Sequence, residues 1–139
     1  MSLSAETPLQ LRPDLEEFGR LIAYVAEFAE RHELSPGDQY ALDLAAEELF
    51  ANTVRHSAHA ATLVEFLLTR EEDGIHVVYE DDGLPFDPTQ QNAPDTNLSA
   101  EDRAIGGLGI HLIRKSMRDF AYRREGNRNR ITFTRKSAH

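Results

Sequence analysis

Apolar residues recur at helical spacing over residues 14–32, where Phe18, Leu21, Ile22, Val25, Phe28 and Ala29 fall on one face. A second helical pattern opens at Ser35, a good N-cap, with Pro36 in the first helical position and Asp38 in the first turn. Its apolar stripe runs through Leu42, Ala45, Ala46, Leu49, Thr53 and Val54 to about His56. The period then changes. Residues 62–69 are apolar and β-branched, and 75–80 alternate across Ile75, Val77 and Tyr79, so two strands are predicted around a turn at 71–74. Residues 7–12 fit a short edge strand. Residues 81–103 hold Pro85, Pro88 and Pro94 and keep no period, which predicts a long polar loop of the kind that often serves function. A helix over 110–117 follows, and 120–124 pairs with 130–135 as a hairpin around 125–129. Helices and a mixed, mostly antiparallel sheet in separate runs predict an α+β two-layer sandwich, the sheet covered by helices on one face.

The length, 139 residues, suits one domain over 1–139, and a hydrophobic fraction of 40% with 28% charged residues suits a globular one. The longest apolar run, Leu21 to Ala26, ends at Glu27, far short of the roughly 20 residues of a membrane span. No basic-then-apolar secretory signal is visible at the start, so a cytoplasmic location is the default expectation. The absence of cysteine excludes disulfides, thiolate catalysis and cysteine-ligated zinc, and the six histidines show no zinc spacing. Charge is divided unevenly. Residues 1–102 carry 5 basic and 22 acidic side chains, net −17, and residues 103–139 carry 10 basic and 2 acidic, net +8. An acidic body argues against direct nucleic-acid binding. The basic quarter fits a local anion site, a partner surface or a solvated hairpin edge.

Three short elements carry candidate chemistry. Glu48 and Asn52 are four apart and share one helix face. They form either a solvated helix edge or a carboxylate–amide pair able to hold Mg²⁺ and deprotonate a hydroxyl. The run Glu80-Asp81-Asp82-Gly83-Leu84-Pro85-Phe86-Asp87-Pro88 leaves a strand, either as turn chemistry alone or with one Asp accepting a hydrogen bond from an exocyclic amine such as adenine's. Gly106-Gly107-Leu108-Gly109 opens a helix, as a hinge or as a source of free backbone N–H groups for phosphate.

In that order the three resemble the Bergerat/GHKL ATP-binding fold of gyrase B, histidine kinases and MutL. Within it, the chain is most similar to the small anti-sigma-factor serine kinases of the SpoIIAB/RsbW type. Glu48 through Asn52 matches the N-box, with His56 following; Asp81 through Pro88 matches the first glycine box; and Gly106 through Gly109, with Ile110-His111-Leu112-Ile113, matches the second. The resemblance spans about residues 9–136 and makes 84–105 an ATP lid. It implies that Asn52 ligates Mg²⁺ on the phosphates, that Glu48 is the base for an attacking serine, that Asp81 reads the adenine amine beside Gly83, and that Gly106, Gly107, Leu108 and Gly109 bind phosphate. ATP and Mg²⁺ are the implied cofactors.

The family's biology implies a homodimer that sequesters a sigma factor, phosphorylates a STAS-domain anti-anti-sigma protein, and acts away from membrane and nucleic acid. The alternative is an ATP-binding regulatory module that acts by partner binding with little or no catalysis. A silent α+β domain is the third reading. A protein-histidine kinase is disfavoured, since no helix pair carrying a phosphoacceptor histidine precedes the site. Two features depart from the pattern. Pro85 replaces a frequent glycine, and Asn127-Arg128-Asn129-Arg130-Ile131-Thr132 stands where a Gly-Thr box is usual. Arg128 and Arg130 are expected in an exposed turn or reaching for phosphate, His56 in a structural role at a helix end, and His111 and Lys115 at the surface.

Overall fold

The computed structural model describes residues 6–57, 60–90 and 108–137. Strand β1 (Leu9–Leu11) leads into helices α1 (Phe18–Arg31) and α2 (Pro36–Ser57). Strands β2 (Val64–Glu71) and β3 (Gly74–Asp81), helix α3 (Leu108–Ser116), and strands β4 (Arg118–Glu125) and β5 (Arg128–Lys136) follow. The five strands lie in the order β1-β2-β3-β5-β4. Each described ladder is antiparallel, so the α+β sandwich is borne out with a sheet more uniform than the mixed one expected.

Alternation decides which face is covered. Val64, Phe66 and Leu68 of β2, Ile75, Val77 and Tyr79 of β3, and Ile131 and Phe133 of β5 are buried on the helix side. Against them pack Leu21, Val25 and Phe28 of α1, Leu42, Ala45, Ala46, Leu49 and Phe50 of α2, and Ile110 and Ile113 of α3. The expected helix stripes hold with two differences. Ile22 is exposed at the rim. Phe50, outside the predicted stripe, is fully buried edge-on against Phe18 at 5.3 Å. It is buried because α2 is flanked by α1 and α3 as well as by the sheet.

Local chemistry fixes the element ends. Ser35 Oγ accepts a hydrogen bond from Asp38 N at 3.1 Å and caps α2, with Pro36 at the first helical position. The β4–β5 turn is shorter than expected. Glu125 pairs with Arg128, leaving only Gly126 and Asn127 between the strands, and Gly126 takes φ +59°. Arg128, Asn129 and Arg130 therefore stand in β5 rather than in a turn.

Candidate functional site

Helix α2 presents Glu48 and Asn52 one turn apart, as its periodicity requires. Asn52 is 4% exposed, and its Oδ1 accepts from the Arg55 guanidinium at 2.9 Å. The Nδ2 of Asn52 and Oε2 of Glu48 are buried and have no hydrogen-bond partner among the described residues. Two orphaned polar atoms on one helix face cost free energy unless something meets them, and they are the expected mark of a ligand position. Burial holds the Glu48 carboxyl above the usual carboxylate range, opposed by the positive charge of Arg55.

The first turn of α3 closes on this carboxylate. A Cβ placed on Gly109 would lie 2.1 Å from Cδ and 2.2 Å from Oε1 of Glu48. With the Glu48 side chain where it stands, only a glycine fits here, which ties a residue of the second glycine motif to the N-box. Leu108 opens the helix, and Gly106 and Gly107 lie outside the described residues, as does most of the expected lid (91–105).

The strand-exit carboxylates separate by role. Asp81 points inward and is 8% exposed. Its Oδ2 accepts from Thr53 Oγ1 at 3.0 Å, while Oδ1 accepts from Gly83 N and from Asn129 Nδ2, each at 2.9 Å. The single Thr53 proton faces two acceptors, Asp81 Oδ2 and the Leu49 carbonyl at 3.3 Å, and neither can donate back, so in the 2.6 Å contact with the Tyr79 hydroxyl it is tyrosine that donates to Thr53. Burial pushes the Tyr79 hydroxyl pKa well up, which keeps that donor protonated. Asp82 turns the other way and accepts from the backbone N–H groups of Thr62 and Leu63. Burial alone would raise its pKa, but a hydrogen bond from the Thr62 hydroxyl, together with those two backbone bonds, outweighs it and holds the group low. Asp82 is thus structural, and Asp81 is the carboxylate facing the cleft.

That cleft is lined by Leu49, Asn52, Thr53, Asp81, Phe86 and Ile131, among others. Its free volume, about 10 Å³, is that of a single water. The ring of Phe86 stacks on His56 at 5.1 Å across it. With Phe86 in this position the cleft is too small for a purine ring. His56 sits at the end of α2, as expected, with its pKa lowered by burial and by Arg55.

The structure brings together Glu48, Asn52 and Gly109, and separately Asp81 and Gly83, around the inner end of α2. It does not bring in Arg128 or Arg130. Both lie on the uncovered face of the sheet, where Arg128 binds Glu65 and Glu80, and Arg130 binds Glu80. Alternation along β5 puts them opposite Asn129, so they neither sit in a turn nor reach toward the cleft. Sequence reasoning missed Arg55, Tyr79, Tyr122 and Asn129 as site residues, and placed Thr53 only as core. Among the described residues no three metal-ligating side chains cluster. A divalent cation here would be shared between one or two protein groups and the phosphates of a nucleotide, as is usual for Mg²⁺. The unpartnered Oε2 of Glu48 suits that share; on Asn52 the ligating atom would be Oδ1, which keeps one lone pair beside the Arg55 bond, while the unpartnered Nδ2 can only donate, as to a phosphate oxygen.

A model of the histidine kinase-like ATPase domain matches residues 11–135. The chain is also 34% identical over 104 residues, 72% of its own length and 72% of the relative's, to the serine/threonine-protein kinase BtrW of Bordetella bronchiseptica. No described helix is long and apolar enough to cross a membrane. With a helix-covered antiparallel sheet and an acid–amide pair against a helix that carries glycine in its first turn, the chain belongs to the histidine kinase-like ATPase domain family.

Proposed function

We propose that the chain is a Mg-ATP-dependent serine protein kinase that acts as an anti-sigma regulator, working as a homodimer that phosphorylates a STAS-domain antagonist and binds a sigma factor. The observation that carries the catalytic part is the pairing of Glu48 and Asn52, each with an unpartnered buried polar atom, against the first turn of α3. The kinase named as a relative supports the serine protein kinase activity; the sigma factor, antagonist and dimer rest on the motif resemblance.

Asp81 takes the adenine amine, since Oδ2 keeps acceptor capacity beside the Thr53 bond. Asn52, with the phosphates, would hold Mg²⁺, which supplies charge neutralisation on the phosphates when bound. Glu48 receives the proton of the attacking serine hydroxyl as the serine O–P bond forms and the bond from the γ-phosphorus to the β,γ-bridging oxygen breaks, releasing ADP. Its raised pKa makes it a better proton acceptor than an exposed carboxylate. The backbone N–H groups in the first turn of α3 would serve the phosphates.

The test is calorimetric titration with Mg-ATP, followed by phosphoryl transfer to a STAS-domain substrate by wild type and by Glu48→Gln. Binding retained and transfer lost in the variant is the expected result. Binding without transfer in the wild type instead makes the chain a nucleotide-dependent binding module, and no binding overturns the kinase reading.

A further inference from the structure

Asn129 is 2% exposed and satisfies all four of its side-chain hydrogen-bonding positions within the protein. Its Nδ2 donates to Asp81 Oδ1 at 2.9 Å and to the carbonyl of Leu84 at 2.8 Å. Its Oδ1 accepts from Phe86 N at 3.2 Å and from the Tyr122 hydroxyl at 2.6 Å. One amide thus joins the end of β3, the segment that leaves it, and β4. Nearby, Arg124 of β4 donates to the carbonyl of Gly83 at 2.8 Å, so the β4–β5 hairpin grips the backbone at Gly83, Leu84 and Phe86, and Asp81 holds the N–H of Gly83 from the β3 side.

We infer that Asn129, oriented by Tyr122, is a positioning residue that sets base specificity by fixing which way the Asp81 carboxylate presents its free acceptor. The inference rests on the reading of Asp81 as the adenine-binding group. Asp81 Oδ1 is filled by Gly83 N and Asn129 Nδ2, which leaves Oδ2 as the atom turned to the cleft, steadied by Thr53. A carboxylate so held can only accept. It pairs with an exocyclic amine and opposes a carbonyl in the same place. Without Asn129 the carboxylate keeps only the Gly83 and Thr53 bonds and is held less firmly, a water can take the vacated place on Oδ1, and the distinction between amine and carbonyl fades. The hydroxyl of Tyr122 matters because it fixes the amide's direction: with Oδ1 engaged by two donors, Nδ2 is the end that faces Asp81.

The experiment measures dissociation constants for Mg-ATP and Mg-ITP, which carries a carbonyl where ATP has the amine, on wild type, Asp81→Asn, Asn129→Ala and Tyr122→Phe, with a thermal melt of each. Wild type is expected to favour ATP about tenfold or more, because a buried site built to accept rejects a ligand that cannot donate. Asp81→Asn and Asn129→Ala are each expected to lower that ratio at least about fivefold, and Tyr122→Phe to lower it less, by the loss of a single orienting bond. A merely structural role would lower the melting temperature and weaken both nucleotides together, leaving the ratio unchanged. If Asp81→Asn leaves the ratio unchanged, or wild type does not favour ATP, the reading of Asp81 fails. If Asp81→Asn collapses the ratio while Asn129→Ala keeps it, the inference about Asn129 fails alone. Should Asn129→Ala not fold, an unchanged ratio in Tyr122→Phe overturns the inference.

Discussion

Replacing Gly109 by alanine should separate folding from phosphoryl transfer. The new Cβ would stand 2.1 Å from Cδ of Glu48. Carbon–carbon contact relaxes at about 3.5 Å, so the carboxyl carbon must retreat about 1.4 Å. What gives way is the far end of a flexible side chain, since the nearest atoms are Cδ, Oε1 and Cγ of Glu48 and no backbone atom. The fold loses little. Alanine is favoured over glycine within a helix by about 0.5–1 kcal/mol, and the displaced Oε2 gives up no hydrogen bond to any described residue. Catalysis loses far more, because misplacing a reacting group by about 1 Å costs about 10²-fold, or about 2.7 kcal/mol of barrier. Urea unfolding should therefore give a stability within about 1 kcal/mol of wild type. Calorimetry should give Mg-ATP affinity within about threefold, or about 0.7 kcal/mol, and transfer to a STAS-domain substrate should fall about a hundredfold. In a Glu48→Gln background the same substitution should add nothing, as coupled residues act non-additively. Transfer at the wild-type rate would refute the claim that Glu48 works from its observed position. A loss of stability beyond about 2 kcal/mol, the range of a strained backbone, would show that the helices rather than the side chain had moved.

Three further outcomes follow from the same geometry. Asn52→Ala should weaken Mg-ATP binding at least about tenfold, or about 1.4 kcal/mol, and should weaken metal-free nucleotide much less; equal losses in a calorimetric comparison would count against a metal role. Leu68→Ala removes a fully buried side chain from the centre of β2 and should cost about 2–5 kcal/mol by urea denaturation, and a smaller loss would mean that the core relaxes around it. Burial would raise the pKa of Asp38, but hydrogen bonds from Arg135 and Ser137, each at 2.9 Å, outweigh it and keep the folded value below the unfolded one. Its contribution is therefore complete above the unfolded pKa of about 3.9 and is lost as pH falls through the folded value. Urea midpoints measured downward from about pH 5 should drop more steeply for wild type than for Asp38→Asn, and parallel curves would contradict the assignment.

Periodicity made most of the fold legible. Ser35, Pro36 and Asp38 announced the start of α2, and the switch from a period of 3.6 to one of 2 after residue 60 announced the strands. What a single-stripe reading could not give was the width of the buried arc. Phe50 is buried because two neighbouring helices and the sheet all cover α2, and that is a property of the assembled layers. The β4–β5 turn was misjudged for a related reason. Gly126, Asn127, Arg128 and Asn129 are all turn-compatible types, and only the ladder from Glu125 to Arg128 limits the turn to the first two.

The site was legible where it lay within one element and obscure where it depended on register. Glu48 and Asn52 meet through helical repeat alone. Asn129 reaches Asp81 across 48 positions because β3 pairs with β5 and sets these two residues opposite each other. A signal for it does exist in the sequence. Asn129 is in phase with Ile131 and Phe133 on the covered face of β5, Asp81 with Ile75, Val77 and Tyr79 on β3, and Thr53 with Leu42, Ala46 and Leu49 on α2. A polar side chain that falls in a buried stripe must find partners or weaken the fold. When three elements each place one at the same end of the core, mutual satisfaction is the economical solution, and here the three are bonded directly or through one another. The order of the hydrogen bonds then follows from valence. A hydroxyl and an amide can both donate to a carboxylate, so Asp81 is the hub and Thr53 and Asn129 its supports. The group that remains able to accept from a ligand is the carboxylate itself.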